Sequence, residues 1–149
     1  MDPNIQSRFN DTILSDLRAR SAIQPARIRP LPFYESLMFA FERDDGEFVL
    51  RVSHSARRSP EMIHGEAEWI NHLADGGAGV ARAIPSQSGS LVEAVDDGNG
   101  EQFLGTAFVH ARGRPPFKVG WSPELYETYG ETIGLMHRLT TTYHPSNPA

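Results

Sequence analysis

Two apolar runs face each other across an acidic turn: "SLMFAFER" at Ser36–Arg43, "DDG" at Asp44–Gly46 and "EFVLRVS" at Glu47–Ser53. An Asp-Gly step between such runs is a strong hairpin signal, because glycine accepts the backbone conformation that a tight turn demands. The spacing therefore predicts two antiparallel strands. Alternate residues of a strand face opposite sides, so Val49 and Arg51 share one face while Phe48, Leu50 and Val52 share the other. If the Phe48 face packs on a core, Arg51 looks into a cleft. A permanently charged guanidinium there costs desolvation unless an anion or a carboxylate meets it.

The next segment, "SPEMIHGEAEWINHLADGG", offers that carboxylate. Ser59 is a capping residue, Pro60 suits the first helical position, Glu61 sits in the first turn and Gly76 ends the run, which predicts a helix. Met62, Ile63, Glu66, Trp69, Ile70 and Leu73 recur at three- and four-residue steps and form its expected inward stripe. Glu66 is the acid within that stripe, and Arg51 is its obvious partner. An ordinary structural ion pair tying strand to helix satisfies the same pattern.

Elsewhere, Asn10–Arg20 carries Ile13, Leu14 and Leu17 at helical spacing behind an Asn10 or Asp11 cap, and Pro25 and Pro30 follow. Short strands are expected at Val80–Ile84, Ser90–Val95 and Glu101–Val109, separated by "PSQSGS" and "DDGNG" turns. "ARGRPPFKVG" reads as a connector. Ser122 and Pro123 then repeat the cap arrangement and open a long helix to about Thr140, before "HPSNPA" closes the chain. There is no internal repeat.

The length of 149 residues suits one domain or one lobe of a larger protein, and 39% hydrophobic with 22% charged residues describes a soluble globular chain. A formal charge of −5 argues against a sequence-independent nucleic-acid binder, which needs a clustered positive surface. The cationic clusters "ARRS" at Ala56–Ser59 and "ARGRPPFK" at Ala111–Lys118 are read as solvated surface. With no cysteine, thiolate metal sites, disulfides and a cysteine nucleophile are excluded, and a cytoplasmic setting is expected. No run of apolar residues is long enough to predict a membrane span or an export signal.

Other chemistry is poorly represented. Glu61, His64, Glu68 and His72 fall near one helical stripe, but HExxH is absent and the stripe is expected to face solvent. His137 in "GLMHRL" reads as a packing histidine. "SGS" at Ser88–Ser90 is a turn rather than a nucleophile elbow, and "DGGAG" at Asp75–Gly79 follows a helix instead of opening one, so it is a helix stop and not a phosphate cradle.

A strand cation paired to a helix acid, on a small antiparallel sheet, is the arrangement of a kinase-like upper lobe. The segments "FVLRVSH", "GEAEWINHL", "GVARAIPSQSGSLVEAV" and "YGETIGLMHRLT" resemble the N-terminal lobe of the aminoglycoside phosphotransferase family, which includes type II homoserine kinases and related small-molecule kinases. The likeness runs from about Ile28 to His144. It implies an α+β fold: an N-terminal helical segment at 1–27, an ATP-binding lobe at 28–110, a hinge and linker at 111–120, and at 121–149 the first helix of an otherwise absent C-terminal lobe. It also implies roles. Arg51 would hold the α and β phosphates of ATP, with Glu66 as the acid that orients it; Val49 would line the adenine pocket; and Phe108, Val109 and His110 would be the hinge whose backbone meets the adenine edge.

The chain departs from the family pattern twice. The loop between the first two strands usually carries glycine so that backbone can approach phosphate, yet here it reads "PLPFYES", with Pro32 and Phe33. The HxDxxxxN segment and the metal-binding aspartate of the second lobe do not occur in the sequence. The expectation is thus a truncated, ATP-binding portion of a small-molecule phosphotransferase, inactive as this isolated chain, with Mg2+ ligands belonging to the missing lobe. The complete enzyme would move phosphate from ATP to a hydroxyl of a small acceptor. Exposed apolar surface is expected to favour self-association. The alternative is a non-catalytic nucleotide-binding or interaction module derived from such a lobe.

Overall fold

The computed structural model describes residues 1–32, 35–113, 118 and 120–146. Phe33 of the expected nucleotide loop, much of the expected 111–120 linker and the last three residues lie outside the described residues. The helices are α1 (Pro3–Gln6), α2 (Asp11–Arg20), α3 (Pro60–Asp75) and α4 (Pro123–Thr140), with one 3-10 turn at Pro25–Arg27. The strands are β1 (Ile28–Leu31), β2 (Leu37–Arg43), β3 (Gly46–His54), β4 (Ala83–Ile84), β5 (Glu93–Asp96) and β6 (Gln102–Val109).

These six strands make one sheet ordered β1-β2-β3-β6-β4, with β5 also paired to β6. Each described pairing is antiparallel. The expected hairpin forms in the register Arg43↔Gly46, Phe41↔Phe48 and Leu37↔Val52. The cross-chain partner of β3 is β6, which sets Arg51 opposite Thr106 and Val49 opposite Phe108.

Burial along β3 alternates as its sequence predicts: Phe48, Leu50, Val52 and His54 are buried and the residues between them are not. Their face packs against α2, whose Ile13 and Leu17 join Phe41, Val95 and Phe103 in the core. Phe9 meets Phe103 edge-on at 5.2 Å between ring centroids. Gly105 lets α2 approach β6, since a Cβ there would lie 2.8 Å from Leu17 Cδ2. Leu17 is fully buried, and burying such a side chain contributes about 2 kcal/mol. The amphipathic pattern of residues 10–20 is therefore what caps this core. Asn10 accepts hydrogen bonds from the amides of Thr12 and Ile13 at its start.

α3 begins and ends where its sequence signals stand, with Ser59 accepting from the Met62 amide and Gly76 at the C-cap. Its inward stripe differs from expectation. Ile63, Ala67 and Leu73 are buried, whereas Met62 is exposed. Trp69 turns to α4 instead, its indole Nε1 donating to Thr140 Oγ1 at 3.1 Å. Two expected strands shorten: Val80–Ile84 keeps only Ala83–Ile84, and Ser90–Val95 becomes Glu93–Asp96. Serine hydroxyls explain part of this, because Ser90 Oγ bonds both the carbonyl and the amide of Val92 and so replaces ladder bonds with a local turn. Among the described residues no helix is long and apolar enough to cross a membrane.

Candidate nucleotide-binding cleft

On the face of β3 away from the α2 core, a cleft of about 480 Å³ is lined by residues that include Ser36, Arg51, Ser53, Arg57, Arg58 and Glu66. Arg51 and Glu66 meet as sequence spacing suggests. Nη1 donates to Oε1 at 2.9 Å and Nη2 to Oε2 at 3.1 Å, two parallel bonds that match a planar guanidinium to a planar carboxylate. The two side chains are 19% and 27% exposed, so the pair is shielded yet reachable from the cleft. The guanidinium also stands 4.9 Å from the centroid of the Phe108 ring, a cation–π contact that fixes its plane.

The pair is not isolated. Arg58 Nη1 donates to the same Glu66 Oε2 at 2.9 Å, so one carboxylate serves two guanidiniums. Arg57 has its own acid, Glu35 Oε1, at 2.8 Å. The "ARRS" cluster is exposed at Ala56, Arg57 and Arg58, as expected, and there it also lines the cleft. The signal was its place: it fills the short connection from β3 to α3, which has to turn beside Arg51. Arg51 Nε and the hydroxyl of Thr106 are buried and have no hydrogen-bond partner among the described residues. They belong to residues paired directly across β3 and β6.

The other expected site residues divide. Val49 and Phe108 are half-buried neighbours in the ladder and lie beside Arg51. Val109 is exposed, and its amide donates to the Arg82 carbonyl at 2.9 Å. His110 lines a separate cavity of about 190 Å³ with Glu47 and Phe48, and its amide donates to the Glu47 carbonyl at 3.0 Å. The amides of Val109 and His110 are thus engaged within the lobe.

A second polar cluster went unread in the sequence because its members lie far apart along the chain. His54, Asp97 and Glu101 bring ligand atoms within 4.8 Å of one another. Arg8 bridges the two carboxylates of the group, with Nη1 at 2.8 Å from Asp97 Oδ2 and 2.9 Å from Glu101 Oε2. His54 Nε2 lies 3.3 Å from the same Asp97 oxygen. Burial opposes charge on Asp97, but hydrogen bonds from Arg8, the amides of Asn99 and Glu101, and His54 outweigh it and hold the carboxyl well below the usual carboxylate range. The helical stripe considered for metal is also otherwise engaged: His72 bonds the Leu139 carbonyl at 2.9 Å and Glu68 accepts from Ser146 Oγ at 2.6 Å. Glu68 and His72 therefore receive α4 and the residues after it, while Glu61 and much of His64 face solvent as expected. His137, expected to pack, is exposed beside the same contact.

An antiparallel sheet whose third strand carries a cation, forked onto an acid of a helix packed beside it, defines a kinase-like N-terminal lobe. The sequence profile of the phosphotransferase enzyme family (APH) matches residues 27–147, and the chain belongs to that family. It is 37% identical over 139 residues to an amicoumacin kinase of Bacillus subtilis (strain 168), covering 93% of this chain and 41% of that relative. Among solved structures, an amicoumacin kinase in complex with AMP-PNP, Ca2+ and Ami is similar with a TM-score of 0.92 and 28% identity, across 99% of this chain and 45% of that one. A microcompartment-associated aminopropanol kinase shares the fold, with a TM-score of 0.72 at 20% identity over 91% of this chain and 42% of that one. The chain spans less than half the length of each of these relatives.

Proposed function

We propose that this chain is the ATP-binding lobe of a small-molecule phosphotransferase, with the α and β phosphates held by Arg51 and Arg51 held by Glu66. The forked contact at 2.9 and 3.1 Å carries the reading. It pre-orients a cation in a cleft, with the side chain still 19% exposed there. Val49 and Phe108 would form the apolar wall for the base, and the backbone beyond Val109 would supply the hydrogen bonds to its edge. Residues 28–110 act as the lobe, 111–120 as the hinge, and α4 as the first helix of the partner lobe. The setting is the cytoplasm.

In the complete enzyme the acceptor's hydroxyl oxygen would form a bond to the γ phosphorus as the bond to ADP breaks, with Mg2+ offsetting the phosphate charge. The donors present fit the phosphates but not the metal, because the described His54–Asp97–Glu101 group is already occupied by the Arg8 guanidinium. No Mg2+ ligand is therefore proposed on the described residues, and the chain is expected to bind nucleotide without turnover. A second reading, a non-catalytic nucleotide-binding or interaction module, is favoured by the "PLPFYES" loop, which lacks the glycine that backbone contact with phosphate requires.

Calorimetric titration separates these. Wild type should bind ATP, and Arg51→Met should weaken ATP by about 10- to 100-fold while sparing adenosine, the loss expected for one or two charge-assisted hydrogen bonds. Equal ATP affinity in the two proteins would overturn the assignment of Arg51. Metal-dependent phosphate transfer by this chain to any small hydroxyl acceptor would overturn the expected inactivity.

A further inference from the structure

Three arginines and three acids line the cleft: Arg51, Arg57 and Arg58 with Asp2, Glu35 and Glu66. Their pairing is uneven. Glu35 is taken by Arg57, and Asp2 accepts the Asn4 amide at 2.8 Å as the cap of α1. Glu66 alone faces two guanidiniums, Arg51 and Arg58. The Arg51–Glu66–Arg58 trio by itself therefore sums to a net charge of +1. Arg58 is 50% exposed, so its guanidinium can leave Glu66 for a ligand without unpacking the fold. Arg51 is only 19% exposed and held on both sides, by Glu66 and by the Phe108 ring.

We propose that Arg58 is a second polyphosphate-binding residue of this cleft: in the free protein it shares Glu66, and on binding it turns its charge to the phosphate chain while Glu66 stays with Arg51. The inference rests on the nucleotide reading above for its physiological ligand, but not for the anion chemistry itself. One guanidinium locked and one released onto the ligand suits a chain of linked phosphates better than a single phosphate, because the two cations stand on either side of one carboxylate. Arg58 immediately precedes the Ser59 cap of α3, so its Cα is fixed by that helix start while its side chain remains free to move.

The test titrates the full chain with ATP, inorganic tripolyphosphate and adenosine, in wild type, Arg58→Gln and Arg58→Lys. Arg58→Gln should bind ATP and tripolyphosphate about tenfold more weakly, leave adenosine unchanged and show a shallower salt dependence, as loss of one charge-assisted bond predicts. Arg58→Lys should recover most of that loss. Unchanged ATP and tripolyphosphate affinity in Arg58→Gln overturns the inference and leaves the nucleotide reading standing. Arg58-dependent binding of tripolyphosphate by a chain that ignores ATP does the reverse. Wild type that binds neither anion overturns both. A loss shared equally by adenosine, with a lowered Tm, or a lysine variant no better than glutamine, also overturns the inference, since Arg58 would then act only by bracing Glu66.

Discussion

Asp97 shows how a residue without chemistry of its own can set the stability of the lobe. Its side chain is fully buried, and Arg8, two backbone amides and His54 keep it ionised. A carboxyl whose folded pKa lies below its unfolded value, about 4 for an aspartate, contributes its full stability above that unfolded value. As pH falls, the unfolded chain takes up the proton first, so stability drops toward the depressed folded pKa. Thermal unfolding of wild type should therefore lose Tm steeply below about pH 4. Asp97→Asn should start lower at pH 7 and flatten that dependence; parallel pH profiles in the two proteins would refute the account. Single residues were legible in the sequence where a local period exposed them, as at Arg51 and Glu66. Arg8 and Arg58 were not, because no period marks a partner 89 residues away or a side chain in a connection between elements.

At the scale of elements, α3 was the best-read segment in its limits and the worst in its faces. Cap and stop residues are local chemistry, so Ser59, Pro60 and Gly76 placed the ends correctly. Which stripe faces the core depends on what else arrives, and here α4 arrives. Gly65, Glu68, Trp69 and His72 recur at the i, i+3, i+4, i+7 steps of one stripe, and each bonds α4 or the residues just after it. Gly76 seats Leu139: a Cβ on Gly76 would meet Leu139 side-chain atoms, Cγ at 2.9 Å among them. Gly76→Ala should cost about 1–2 kcal/mol by forcing this contact apart. The same change made in a Leu139→Ala background should cost much less. A thermal-unfolding double-mutant cycle reads the coupling, and additive losses would show that the contact does not hold α4 in place.

For the whole molecule, the β2–β3 pairing was visible in the sequence as a hairpin signal. The packing of α2 over one face and the pairing of β5 with β6 were not, since each depends on long-range contacts that short strands and serine-rich turns leave open. The surface carries one further consequence of the fold. Trp121, Tyr126 and Tyr129 are exposed at 48%, 60% and 57%, with Trp121 stacked on Tyr126 and edge-on to Tyr129. Beside them, α4 and Trp69 border an apolar groove of about 430 Å³. Surface of this kind predicts concentration-dependent association, which sedimentation should detect and which serine at the three aromatic positions should suppress. A monodisperse monomer at high concentration would count against it.

The attachment of α4 has a mechanical meaning. The flank of α3 that grips α4 and the flank that bears Glu66 belong to a single rigid rod, joined by less than a turn of helix. Contacts that hold α4 and contacts that hold Arg51 and Arg58 are thus made by adjacent positions of one helix, so a substitution that loosened the first would be felt by the second.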